Sequence, residues 1–170
     1  QLDSCLHLVS PDSSFSVGPA QVTVFATSHD AGESVDYRVD CGDAVGILTD
    51  TGFVPEPAAA ALTGVDLLVL ESNHDVEWLR SGPYPYSLKQ RILGQRGHLS
   101  NEDAAAFARR MAECGTRCII LAHLSRENNT PQRALAVMET ALSGLDVAVE
   151  VAPRGELSAC YGAEVALCRK

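Results

Sequence analysis

At 170 residues, with 46% hydrophobic and 21% charged side chains, the chain can bury about two thirds of its unfolded surface in a single domain. No apolar run approaches the ~20 residues that cross a bilayer, and no basic-then-apolar leader opens the sequence, although it starts at Gln1 and not at a methionine. A formal net charge of −9 argues against a surface that is basic throughout, as in a general nucleic-acid binder.

In chain order, the run 21–27 predicts a strand that leads into Ser28-His29-Asp30-Ala31. Strands follow at 36–41 and 44–49, the second running into Asp50-Thr51-Gly52. Pro55 starts a helix through Leu62 that Gly64 ends. The apolar run 65–70 leads into Glu71-Ser72-Asn73-His74-Asp75. Residues 75–95 read as helical, broken by Gly82-Pro83-Tyr84-Pro85. Ser100 or Asn101 caps a helix to about Cys114, with Glu102 and Asp103 in the first turn where the helix dipole favours them. The strand 117–122 ends at His123-Leu124-Ser125, Thr130-Pro131 opens a helix to about Leu142, and strands near 147–151 and 163–168 complete the chain. There are no repeats and no low-complexity linker, so the expectation is one α/β domain over 1–170.

Six cysteines (5, 41, 114, 118, 160 and 168) are an even number that would suit three disulfides in a secreted protein. A chain of this length and core content needs no such staples, so reduced thiols in the cytoplasm are expected. Cys118 opens a strand and Cys41 ends one, which suits small buried thiols. Cys114 and Cys118 are separated by three residues, and no second pair completes a zinc knuckle.

The acidic balance is uneven. Between Trp78 and Asn101 there is no Asp or Glu, while Arg80, Lys89, Arg91 and Arg96 fall there and lead to His98. Such a stretch can hold phosphates on an otherwise acidic protein; the plainer reading is a solvated helix face. The strand ends carry the stronger signal. Imidazoles and carboxylates placed repeatedly after apolar runs are how a rigid sheet aims metal ligands at one point. Each residue also has a plainer reading: an isolated histidine is usually a surface or hydrogen-bonded core residue, Asp50 before Thr51-Gly52 suits a turn, His98 suits a helix entry, and His7 precedes every motif.

The ordered set Ser28-His29-Asp30-Ala31, Thr49-Asp50-Thr51-Gly52 and Ala122-His123-Leu124-Ser125 resembles the third, fourth and fifth metal motifs of metallo-β-lactamase-fold hydrolases. The stretches 71–75, 84–92, 97–101 and 123–131 are similar to the YycJ/WalJ exonuclease-like branch, related to tRNase Z. The resemblance covers nearly the whole chain but only about the C-terminal two thirds of the family's domain, because the His-x-His-x-Asp-His loop of its first part has no counterpart here. It implies an α/β fold, the αββα sandwich without its N-terminal portion. It further implies two divalent metal ions (Zn, Mn or Fe) in the intact domain, with His29 and His123 on one metal each and Asp50 bridging, and the remaining ligands supplied by the missing segment, covalently or as another chain. Asp50, His98 and Glu71 are the catalytic expectation, His98 and Glu71 pairing to stabilise phosphoryl charge and protonate the leaving oxygen. Lys89, Arg91, Ser125, Asn128 and Asn129 are expected to contact substrate. Asp30 is expected to hold the second nitrogen of His29, and His74 to orient Glu71 or stack on substrate. The function implied is a nuclease on DNA ends, with DNA favoured over RNA and no membrane partner. A small-ester or cyclic phosphodiester hydrolase, and a non-catalytic fragment or subunit, are the alternatives.

Overall fold

Within residues 6–156, which the computed structural model describes, each expected apolar run becomes a strand of one sheet. Seven strands lie in sequence order across it: β1 (Ser14–Val17), β2 (Ala20–Ala26), β3 (Val35–Cys41), β4 (Asp43–Leu48), β5 (Leu67–Glu71), β6 (Cys118–Ala122) and β7 (Ala148–Val151). The first four form an antiparallel meander, and β4 to β7 are parallel. Parallel neighbours need crossovers, and helices supply them. These are α1 (Glu56–Leu62), α2 (Val76–Ser81), α3 (Tyr86–Ile92), α4 (Asn101–Glu113) and α5 (Pro131–Ala141).

Helices α1, α4 and α5 bury one face of the sheet in a core that includes Phe25, Leu48, Leu62, Leu70, Phe107, Met111, Ile119, Leu121 and Met138. The other face carries a second apolar cluster of Leu67, Cys118 and Ile120 with Val45, Val69 and Ala148 beside them. Apolar side chains therefore stand on both faces of β5 and β6, the near-continuous apolar pattern of parallel strands. Caps fall where short polar side chains precede helices: Asp75, Ser100 and Thr130 accept from the backbone N–H of Trp78, Asp103 and Arg133.

Strand β1 was not expected. Its sequence, Ser-Phe-Ser-Val, is short and half polar, and it forms by pairing with β2 at the sheet edge. The expected strand 163–168 and Cys5, Cys160 and Cys168 lie outside the described residues. Cys118 is buried as anticipated. Cys41 is exposed instead, because it ends β3 at the tight turn through Gly42 into β4.

Because β2, β4, β5 and β6 run the same way, their C-terminal ends share one rim, and His29, Asp50, Glu71 and His123 arrive there together. Ligands bind outside this rim in parallel sheets. Asp50 (φ 48°) and His123 (φ 55°) both adopt the left-handed backbone region, which non-glycine residues occupy at a cost and mostly at functional sites.

Candidate metal centre

Glu71, the last residue of β5, has a fully buried side chain. A carboxylate removed from water needs donors, and three segments supply four of them. His98 Nδ1 and His123 Nδ1 lie 2.8 and 2.6 Å from Oε1, and the backbone N–H groups of Thr51 and Leu99 donate to Oε2 at 3.1 and 3.4 Å. Burial alone would raise the Glu71 pKa, but the hydrogen bonds from His123 and His98 outweigh it and hold the carboxyl below its ordinary value. The same bond raises the His123 pKa against its own burial.

These contacts also set the tautomers. An ionised carboxylate only accepts, so in His98 and His123 the Nδ1 carries the proton and Nε2 is left for other partners. His29 Nδ1 lies 3.1 Å from the carbonyl oxygen of Gly97, which fixes the same tautomer by a backbone contact. The His29 loop is fastened to the Asp50 loop, since Ser28 N donates to Thr51 Oγ1 at 3.0 Å and Gly52 N to Ser28 O at 2.8 Å. The three rings form a fan, with centroids 5.0 Å apart for His29 and His98 and 5.2 Å for His98 and His123.

Asp50 sits in the fan. Its Oδ1 is 3.8 Å from His29 Nε2, 3.6 Å from His98 Nδ1 and 3.7 Å from His123 Nδ1, all too long for hydrogen bonds. Two ligands of one tetrahedral cation, each at ~2.1 Å, stand ~3.4 Å apart, close to the His29–Asp50 separation. Asp50, Glu71, His98 and His123 can also offer one ligand atom each within 4.8 Å of one another. Nitrogen lone pairs beside a carboxylate fit a divalent cation of the Zn, Mn or Fe type. His29, Asp50 and His123 therefore come together as expected, and His98 and Glu71, assigned to catalysis, are in the same cluster.

The other expected residues fall into different places. Asp30 does not hold the second nitrogen of His29, because Gly97 does; its carboxylate lies 3.5 Å from His29 Nε2 and pairs with Arg91 Nε, which keeps its pKa below the ordinary value. Lys89 Nζ donates to the carbonyls of Arg80 and Gly82 at 2.6 and 2.7 Å, tying the end of α2 to α3. Ser125 Oγ accepts from the backbone N–H of Glu127 and Asn128 at 3.3 and 3.2 Å. Asn128 and Asn129 are 0% and 4% exposed, so the expectation that they reach a substrate backbone is corrected. Asn129 Nδ2 instead donates to the carbonyls of Ser72 and Asn73 and to Asn101 Oδ1, bracing the loop after Glu71 from behind. His74 is buried at 1% exposure, and neither ring nitrogen has a hydrogen-bond partner among the described residues, so it neither binds Glu71 nor faces a ligand. Burial pushes its pKa down to about 4.

Sequence reasoning missed three features. One is the double use of Glu71, which also grips His123, 52 positions away. Another is Asp36, buried beneath the Asp50 loop, whose carboxylate accepts from Thr49 N and whose pKa burial raises to about 6. The third is a cavity of about 370 Å³ beside the histidines.

Comparison with known proteins agrees with this fold. Residues 4–124 match the family described as the beta-lactamase superfamily domain. Exodeoxyribonuclease WalJ of Streptococcus pneumoniae is 40% identical over 146 residues, 85% of this chain and 54% of that protein. Exodeoxyribonuclease YycJ of Bacillus anthracis is 42% identical over 118 residues, 69% of this chain and 45% of that protein. Among solved structures, the metallo-beta-lactamase fold protein YhfI of Bacillus subtilis superposes with a TM-score of 0.63 at 20% identity, over 87% of this chain and 53% of that one. The chain thus spans about half the length of the curated relatives it matches.

Proposed function

We propose, since the chain belongs to the β-lactamase superfamily, that it forms the catalytic rim of a metal-dependent phosphodiester hydrolase that degrades DNA from its ends in the cytoplasm. The names of the two exodeoxyribonuclease relatives support DNA over RNA. The single observation that carries the reading is the placement of His98: it is held by Glu71 at 2.8 Å and reaches to within 3.6 Å of Asp50, yet it is not needed as one of the expected metal ligands. A simple metal-binding module has no use for an oriented imidazole at that position.

His29, Asp50 and His123 would hold two divalent cations together with ligands from a His-x-His-x-Asp-His segment outside these 170 residues. Bound cations supply Lewis acidity and activate water for attack on phosphorus. The remaining work belongs to side chains of this chain. Glu71 fixes the His98 ring through Nδ1, so Nε2 is the atom left to give a proton to the leaving oxygen. The buried charge of Glu71 also stabilises the imidazolium before that transfer. Gly97 orients His29, and Arg91, anchored by Asp30, places a guanidinium at the mouth of the site for a neighbouring phosphate.

The test is His98→Ala in the full-length protein. Metal content should be retained, while digestion of DNA ends falls by ~10²-fold or more, the usual loss when a positioned acid is removed. Bis(p-nitrophenyl) phosphate has a leaving group that departs without a proton, so its hydrolysis should fall by much less. Equal losses on the two substrates would show that His98 is not the acid.

A further inference from the structure

Beside the three histidines the cavity of about 370 Å³ is lined on one side by Tyr84, Leu88 and Ile92. Their spacing of four residues puts them on one side of α3 and the turn before it, the pattern that normally packs a helix onto a core. Here it does not: α3 has no buried residue, and all three side chains stay half-buried. An apolar stripe kept out of the core, facing a cavity that ends at a candidate catalytic centre, is how a ligand pocket is built. Pro83 and Pro85 flank Tyr84 and restrict its backbone, and the Lys89 ammonium clamps the same turn through the Arg80 and Gly82 carbonyls. The aromatic ring is therefore presented in advance of any ligand.

Apart from Leu124 and Gly97, the rest of the lining is polar. Asn73 lines the cavity and spends its amide N–H on the His123 carbonyl, which leaves its amide oxygen as the acceptor it can offer. Arg96 spends Nε and Nη2 on the His29 carbonyl, a neutral acceptor, so its charge is not cancelled there. Apolar faces, one amide and the guanidiniums of Arg91 and Arg96, beside three imidazoles, match a flat heteroaromatic ring attached to a phosphate. At the lower end of the ~300–1,000 Å³ range of small-ligand pockets, the cavity suits one nucleotide and is too small for a base pair.

We propose that this cavity receives the unstacked base of the terminal nucleotide, between Tyr84, Leu88 and Ile92, and so restricts cleavage to strand ends. The proposal rests on the nuclease reading for its consequence, and on the cavity for its binding chemistry. Stacking on apolar and aromatic faces is tolerant of sequence, so any of the four bases fits.

The experiment compares binding of deoxyadenosine 5′-monophosphate and deoxyribose 5-phosphate to the full-length protein by calorimetry, and digestion of DNA ending in a normal or an abasic nucleotide. The nucleotide should bind at least about tenfold more tightly than the sugar phosphate, as expected for one stacked base, and the normal end should be digested correspondingly faster. Tyr84→Ala and Leu88→Trp, which remove a wall and fill the space, should each abolish both preferences. Equal binding of the two ligands, or preferences that survive both substitutions, would overturn the pocket. Should the binding preference hold while no DNA end is digested, the pocket stands as a mononucleotide site and it is the nuclease reading that falls.

Discussion

His74 and Asp36 make opposite demands on pH, and a pair of substitutions should separate them. Burial lowers the pKa of His74 from 6.5 to about 4, against the pull of Glu71, Asp103 and Asp75 and with a push from His98. Its contribution to stability is therefore present above pH 6.5 and lost as pH falls through about 4. Burial raises the pKa of Asp36 from 3.8 to about 6, opposed by its hydrogen bond from Thr49 N. That contribution is present below pH 3.8 and lost as pH rises through about 6. At ~1.4 kcal/mol for each tenfold change in proton affinity, each amounts to about 3 kcal/mol, and between pH 4 and 6 the two nearly cancel. Urea unfolding at intervals from pH 4 to 7 measures this. Relative to the parent protein, His74→Leu should gain stability at low pH, by about 3 kcal/mol more at pH 4 than at pH 7, because the unfolded chain no longer takes up a proton that the folded one refuses. Asp36→Asn should do the reverse, its gain growing as pH rises from about 4 and complete above about 6. Profiles that run parallel to the parent from pH 4 to 7 would show that neither group is buried in the ionisation state deduced here.

Glu71→Gln preserves shape but removes the charge to which two imidazoles donate, so thermal unfolding should show a loss of about 2–3 kcal/mol, as for weakening hydrogen bonds to a buried charge, and unchanged stability would refute the network around Oε1. Lys89→Ala should destabilise the α2–α3 turn by about 1–3 kcal/mol while leaving the salt dependence of DNA binding as it was. Arg91→Ala should flatten that dependence, since a lost phosphate contact releases one counterion fewer; filter binding from low to moderate salt separates the two, and the opposite pattern would return Lys89 to the substrate.

Much of this architecture was legible in the sequence because parallel strands buried on both faces read as unbroken apolar runs, and because helix starts carry Pro, Ser, Thr or Asp. The edge strand Ser14–Val17 was not, since a strand with alternating serines is specified by its partner and not by its own pattern. The meeting of His29, Asp50 and His123 followed from their positions after parallel strands. What Glu71 does for His123 could not be read, since nothing local links positions so far apart. Nor does residue type say which way a loop faces: Asn129 looks like a substrate donor until its amide is found on the Ser72 and Asn73 carbonyls, and Lys89 looks like a phosphate contact until its ammonium is found on two carbonyls. In each case the backbone's own demand for donors took the side chain.

Asp50, held in a left-handed backbone conformation among three imidazoles, would be a shared ligand of the cations that the proposed hydrolysis would need. Elemental analysis and DNA-end digestion by the full-length protein and its Asp50→Ala variant test it directly. Two divalent cations per chain and digestion are expected in the parent, with metal reduced and digestion abolished in the variant, at an unchanged circular dichroism spectrum. Full metal content and undiminished digestion in Asp50→Ala would contradict it.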